Sequence, residues 1–206
     1  MDEPIFIPIT TENPDELQAL VRRTDPSLTF LRDLHPMGPT CRTLLVAQGD
    51  QQRILKIRQT SNNVWDDTYF YYEIHALRRV AERNLTNVTH LIQEYQTDTH
   101  HAILKSYAEG TPLNTIDHER LLKDQAFIKK LDELYLKLHL AGIARIYFQP
   151  RKIVIAPDDE LILVDLSTCI VNTETGISMF SREMRSDSRF ITRLEKAARK
   201  AAKAAA

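Results

Sequence analysis

The sequence predicts an α+β fold, an antiparallel sheet followed by a small, mostly helical part, on three observations. Two apolar-rich runs, 42–48 (RTLLVAQ) and 52–58 (QRILKIR), meet at Gly49-Asp50, a dipeptide suited to a tight hairpin turn. Two longer segments, 66–83 and 125–140, repeat apolar residues at the period of a helix with one buried face. A third run, Leu161-Ile162-Leu163-Val164, is short and apolar enough for a buried strand and ends in Asp165.

The elements follow in order. Residues 1–30 form a lead whose first helix, near 15–23, is opened by Thr11-Glu12-Asn13-Pro14, where Asn suits the cap and Pro the first turn. The hairpin follows, with Lys56 in its second strand. In 66–83 the helical spacing is carried by Tyr69, Tyr72, Ile74, Leu77 and Val80; Asp66 and Asp67 suit the first turn, and Glu73 lies within. Segments 88–96 and 102–107 read as strands around a Thr97-Asp98-Thr99 turn, with His100 and His101 taken as turn residues. The stretch 107–113 (YAEGTPL) then links to a helix near 117–124. A longer helix over 125–140 turns Phe127, Leu131, Leu134 and Leu138 toward a core. After Cys169 a loop through Gly176 leads to a final helix from about Ser188.

Composition narrows the function classes. With 206 residues and 43% hydrophobic content, the chain can bury a sizeable core in one compact unit or two small ones. The 27 basic and 28 acidic residues are interspersed, and a net charge of −1 argues against a strongly electrostatic nucleic-acid binder overall. The exception is the basic, Ala-rich stretch 189–206, which reads as a solvated helix or as a contact to an anionic surface, membrane or RNA. Two cysteines, Cys41 and Cys169, are too few for a disulfide framework and suit a reducing compartment. The acidic, Pro-broken start MDEPIFIPITTENPDEL reads as neither a signal nor a transit peptide, and no apolar run is long enough to span a bilayer. Cytoplasmic location follows as the expectation, with peripheral membrane attachment through the tail as the variant.

Motif order is more specific than any one motif. A hairpin with Lys56, a helix with Glu73, two strands, a linker, a long helix ending in Leu138-His139-Leu140-Ala141-Gly142, a loop, a hairpin and then Asp165 follow one another. Singly, Lys56 reads as an edge-strand lysine and Glu73 as a solvated helix carboxylate. As a series they resemble the protein-kinase fold, in its small atypical RIO-like or lipopolysaccharide-kinase-like branches, since no Ala-Pro-Glu element follows Asp165. The resemblance implies a two-lobed fold: a sheet-based N-lobe over 31–106, a reduced helical C-lobe over 107–188, and the basic tail. It implies ATP and Mg²⁺ as ligands, with Lys56, Glu73, Asp165 and Gly38 at the nucleotide and Asp165 at the metal.

The chemistry of that pattern is degenerate here. Where the kinase loop reads His-x-Asp, this chain has Arg145-Ile146-Tyr147, and Lys152 replaces the metal-binding Asn. A phenol titrates at about pH 10 and supplies almost no base at neutral pH. An ammonium repels Mg²⁺. Arg145 has the reach to pair with Asp165 and hold it from metal. His35 to Cys41 holds Gly38 alone where a phosphate-covering loop has several glycines, and Pro39 removes a backbone donor. The leading expectation is a pseudokinase, a nucleotide-binding or regulatory module with a protein partner. Two alternatives stay open: an atypical phosphotransferase using Asp165 for metal, and a structural protein with the site closed by an internal ion pair.

Overall fold

The computed structural model describes residues 10–35, 41–59, 64–97, 99–173 and 176–205. It is an α+β protein with antiparallel sheets, and it divides into two compact units: Met1–Phe70 with His90–Tyr107, and Tyr71–Thr89 with Ala108–Ala206. The boundary at Phe70 falls inside a helix rather than between elements, and the stretch 189–206 belongs with the rest of the second unit. Gly38 lies outside the described residues.

The first unit is a five-stranded sheet with one helix on it. Helix α1 (Pro14–Thr24) starts where Asn13 accepts a hydrogen bond from the Asp15 N–H at 3.0 Å, and Pro14 takes the first position, where its missing donor is harmless. Strands β1 (Leu28–His35), β2 (Cys41–Gln48), β3 (Gln51–Gln59), β4 (Leu91–Gln96) and β5 (His100–Ser106) lie in the order β1-β2-β3-β5-β4. The sequence reading did not include β1, an eight-residue strand within the stretch left as a lead and lobe entry. The turn at Gly49 has φ 59°, a left-handed value that favours glycine, and it sets the register Gln48 to Gln51 and Leu44 to Leu55.

Alternation along the strands sends Leu44, Val46, Leu55, Ile57, Ala102 and Leu104 to one face, where they pack with Leu17, Leu20, Val21 and Leu28. Lys56 belongs to the opposite face, half-buried, paired in register with Thr43 and Ile103. His100 is not a turn residue. It opens β5 at 3% exposure, with Nε2 3.0 Å from the Thr24 hydroxyl and Nδ1 3.0 Å from the Thr99 hydroxyl. The pair of neutral hydroxyl partners lets a polar ring close the end of an apolar core.

The second unit is built around helix α4 (Gln125–Leu140). Asp124 caps it, accepting from the Ala126 and Phe127 N–H groups at 2.7 and 3.4 Å. Phe127, Leu131, Leu134 and Leu138 are buried as their spacing requires, together with Ile128 and Tyr135. The helix ends at Gly142, φ 82°, where a Cβ would meet the Asn172 side chain at 2.7 Å. The helix expected near 117–124 is only four residues, α3 (His118–Leu121), because Asp124 serves as the next cap.

Small sheets complete the unit. Strands β6 (Thr111–Pro112), β8 (Ile153–Ile155) and β9 (Leu161–Leu163) form one, and β7 (Ile143–Ala144) pairs with β10 (Ile170–Val171). Gly110, φ 137°, is required beside β8, since a Cβ there would lie 2.1 Å from the Ile155 carbonyl. Helix α2 (Val64–Glu82) supplies Tyr72, Glu73 and Leu77 to this unit. The last helix, α5 (Ile177–Ala205), begins well before the expected Ser188. Its inner face includes two acids, Glu183 and Asp187, at 9% and 4% exposure, so the apolar period that marks a helix is interrupted there.

Burial and the nearby charges of Arg23 and His101 push the His100 imidazole below its usual value of 6.5. A base with a lowered folded-state pKa binds fewer protons than it does when unfolded, so stability rises with pH across that window. We predict that stability is flat in this respect above about pH 6.5 and falls on acidification below it, levelling once the folded form also protonates. Urea titrations between pH 7.5 and 4.5 check this; His100→Gln should flatten the slope.

Candidate functional site

The loop between β7 and the turn Pro150–Lys152 is shaped by one carboxylate. Asp187, on α5, accepts the Arg145 N–H at 2.9 Å and the Ile146 N–H at 3.2 Å, and its Oδ2 lies 3.1 Å from His139 Nε2 at the end of α4. Both consecutive amides point at it because the chain turns sharply: Arg145 has φ 61° and Tyr147 φ 34°. Left-handed backbone in non-glycine residues costs about 1–3 kcal/mol each and persists only where surrounding contacts enforce it. Here the enforcing contacts are charge-assisted hydrogen bonds to a carboxylate at 4% exposure.

Within this loop, Arg145 and Tyr147 diverge. The Arg145 side chain turns inward, its Nε donating to the Thr168 carbonyl at 2.5 Å and its guanidinium carbon lying 4.9 Å from the centre of the Tyr72 ring on α2. Arg145 therefore fastens the segment after Asp165 to α2 instead of pairing with Asp165 as the sequence suggested. Tyr147 is 48% exposed. Next to it, Phe148 stacks on Phe190 of α5 with ring centres 5.4 Å apart.

Lys152 reaches Asp165. The short Pro150–Lys152 turn carries its side chain inside, at 3% exposure, and its carbonyl accepts the Val164 N–H at 2.8 Å. Its ammonium is 3.2 Å from the Thr168 hydroxyl, 3.4 Å from the Ser167 hydroxyl and 3.8 Å from Asp165 Oδ2. Asp165, two residues beyond β9, turns its other oxygen to the Ser167 N–H at 2.7 Å. The segment 165–168 is thus wound around an ammonium. One carboxylate and two hydroxyls surround this ammonium, which a metal ion sharing these oxygens would have to displace. A second unit charge 4 Å from an ammonium meets repulsion of about 4 kcal/mol at the effective dielectric of a partly exposed site, and a divalent ion doubles it.

Glu73 is fully buried in α2, against the solvated position expected of a lone helical carboxylate. It, Lys152, Asp165 and Asp187 all act electrostatically on the Cys169 thiol, which burial first of all pushes far above its usual range. The second unit therefore gathers Glu73, Asp165, Lys152 and Arg145 around the segment 165–169. Lys56 belongs to the first unit. Among the described residues, no group of three or more His, Cys, Asp or Glu side chains is placed to hold a metal ion, and no helix is long and apolar enough to cross a membrane. Set against models of known protein families and against curated proteins, the sequence matches none.

Asp187 and Thr168 have no place among the residues expected from the sequence, and Tyr72 enters there only through its helical spacing. Asp187 carries no local signal, since its partners lie on another helix and a distant loop; only an acid on the otherwise inward face of α5 marks it. We predict that Asp187→Ala lowers stability by about 2–4 kcal/mol, the loss expected when buried donors are left unpaired, with accelerated amide exchange at Arg145 and Ile146. Tyr147→Gly should be neutral or stabilising by up to about 1 kcal/mol, because glycine relieves the left-handed strain at an exposed position. Urea unfolding and hydrogen exchange of the two variants check both.

Proposed function

We infer that this chain is a degenerate kinase-like module, a pseudokinase of the small RIO-like or lipopolysaccharide-kinase-like kind, which regulates by binding and lacks efficient phosphoryl transfer. The reading rests on the resemblance of the motif series. Its support is the Lys152 ammonium 3.8 Å from the Asp165 carboxylate. In the pattern that the series resembles, those two positions hold metal ligands; here one neutralises the other inside the fold.

Two further features support the same reading. Tyr147 stands where a carboxylate would orient and deprotonate an attacking hydroxyl, and loss of general-base help typically lowers rate by about 10²–10⁴-fold. Glu73 on α2 is fully buried, as a helix carboxylate with a functional partner would be. A two-lobed arrangement, nucleotide as the bound ligand, a protein partner and a cytoplasmic setting complete the proposal. Cys41 and Cys169, both held as thiols, suit that compartment.

We predict that ATP and ADP raise the melting temperature to the same extent with and without Mg²⁺, a ligand at 100 times its dissociation constant adding about 2.7 kcal/mol. Lys152→Asn, which exchanges the ammonium for a neutral oxygen ligand, should make the shift depend on Mg²⁺. Thermal melts and an ATP-turnover assay decide the matter. Mg²⁺-dependent turnover by the unaltered protein that Asp165→Asn abolishes would overturn the reading in favour of an active phosphotransferase, and no shift with any nucleotide would favour a closed structural protein.

A further inference from the structure

Helix α5 has two faces of opposite character. Its inner face holds Glu183, Asp187, Ile191 and Ala198, all buried. On the opposite side Arg185, Arg189, Arg193, Lys196, Lys200 and Lys203 succeed one another at steps of three or four residues, so they form one continuous stripe, and all six are exposed. At the helical rise of about 1.5 Å per residue the stripe runs for about 27 Å, one positive charge every 5 Å or so. Among the described residues no carboxylate pairs with these six; Arg182, one turn before the stripe, and Arg199, at its flank, pair with Glu183 and Glu195.

A stripe of this kind needs a linear polyanion to answer it. Helices that lie in membranes bury an apolar face among the headgroups. Here the apolar residues Ile191 and Ala198 are already committed to the protein interior, and the stripe between Arg185 and Lys203 carries no apolar side chain to insert. Single-stranded nucleic acids are held chiefly by aromatic platforms on which bases stack. None of the exposed residues of the stripe is aromatic, and Phe190 is taken up against Phe148. The backbone of a duplex remains: it carries one negative charge per about 1.7 Å of its axis and asks only for positive charge.

We propose that the outer face of α5 is a docking surface for the phosphate backbone of a nucleic-acid duplex, contacted without base readout. The net charge of −1 for the whole chain does not oppose this, because counterion release is local to the phosphates contacted and the acids of α5 are turned inward or to the flank. The surface is separate from the segment 165–168 and stands whether or not the chain is a pseudokinase.

The test uses the full chain and a 24-base-pair RNA duplex labelled for fluorescence anisotropy, titrated from 50 to 200 mM salt, beside flotation with vesicles of mixed phosphatidylserine and phosphatidylcholine. The proposal expects micromolar binding at low salt, a log–log salt slope near −5, and a loss of roughly 10³-fold across that salt range. The triple variant Arg185→Glu, Arg189→Glu, Lys196→Glu should weaken binding more than about tenfold. Far-UV circular dichroism verifies its fold, and the corresponding Gln substitutions take its place if helix content drops. Absence of duplex binding at 50 mM salt, binding that the folded variant retains, or binding confined to the vesicles would each overturn the assignment.

Discussion

The arrangement of the second unit depends on the Asp187 carboxylate. It is nearly excluded from water, and its oxygens collect two consecutive backbone amides and the His139 ring edge. Burying a charge is unfavourable unless hydrogen bonds replace its hydration. That requirement works in both directions: the loop must keep Arg145 and Tyr147 in left-handed backbone to present its amides, and α5 must stay docked to present the carboxylate. Through Arg145 the constraint extends to Thr168 and Tyr72, so one carboxylate on the last helix orders the segment after Asp165.

Around that segment the charges are balanced by side chains. Lys152 sits among Asp165 and the Ser167 and Thr168 hydroxyls, which supply the hydrogen bonds that a buried ammonium needs in place of water. Cys169 lies beside them as a fully buried thiol whose ionisation burial suppresses, so it packs as a small apolar residue. The result is a polar cluster whose members answer one another, in the place where the motif series resembles a metal-dependent site. The first unit is held differently. Its sheet and α1 share an apolar cluster running from Leu17 to Leu104, closed at one end by His100 between the Thr24 and Thr99 hydroxyls.

Helix α5 joins the two ideas. Its inward acids hold a strained loop while its outward cations face solvent, so a segment that by composition is only basic and Ala-rich has a structural side and a cationic, solvent-facing side. The long Arg and Lys side chains keep their charges in water, whereas the short Asp187 is drawn inside because amides await it.

Local pattern determined much of this chain. The Gly49-Asp50 hairpin, the Asn13 cap of α1, the Phe127 to Leu138 stripe of α4 and the placing of Asp165 after a buried strand could all be read directly, because each depends on neighbours a few residues away. Strand β1, the early start of α5 and the burial of His100 could not. A polar residue looks solvated in a sequence, since only partners distant along the chain can make its burial affordable. Tertiary structure likewise decided that Lys152, not Arg145, faces Asp165, and that Asp187 governs the loop: these are pairings between elements brought together by packing, and no periodicity along the chain encodes them.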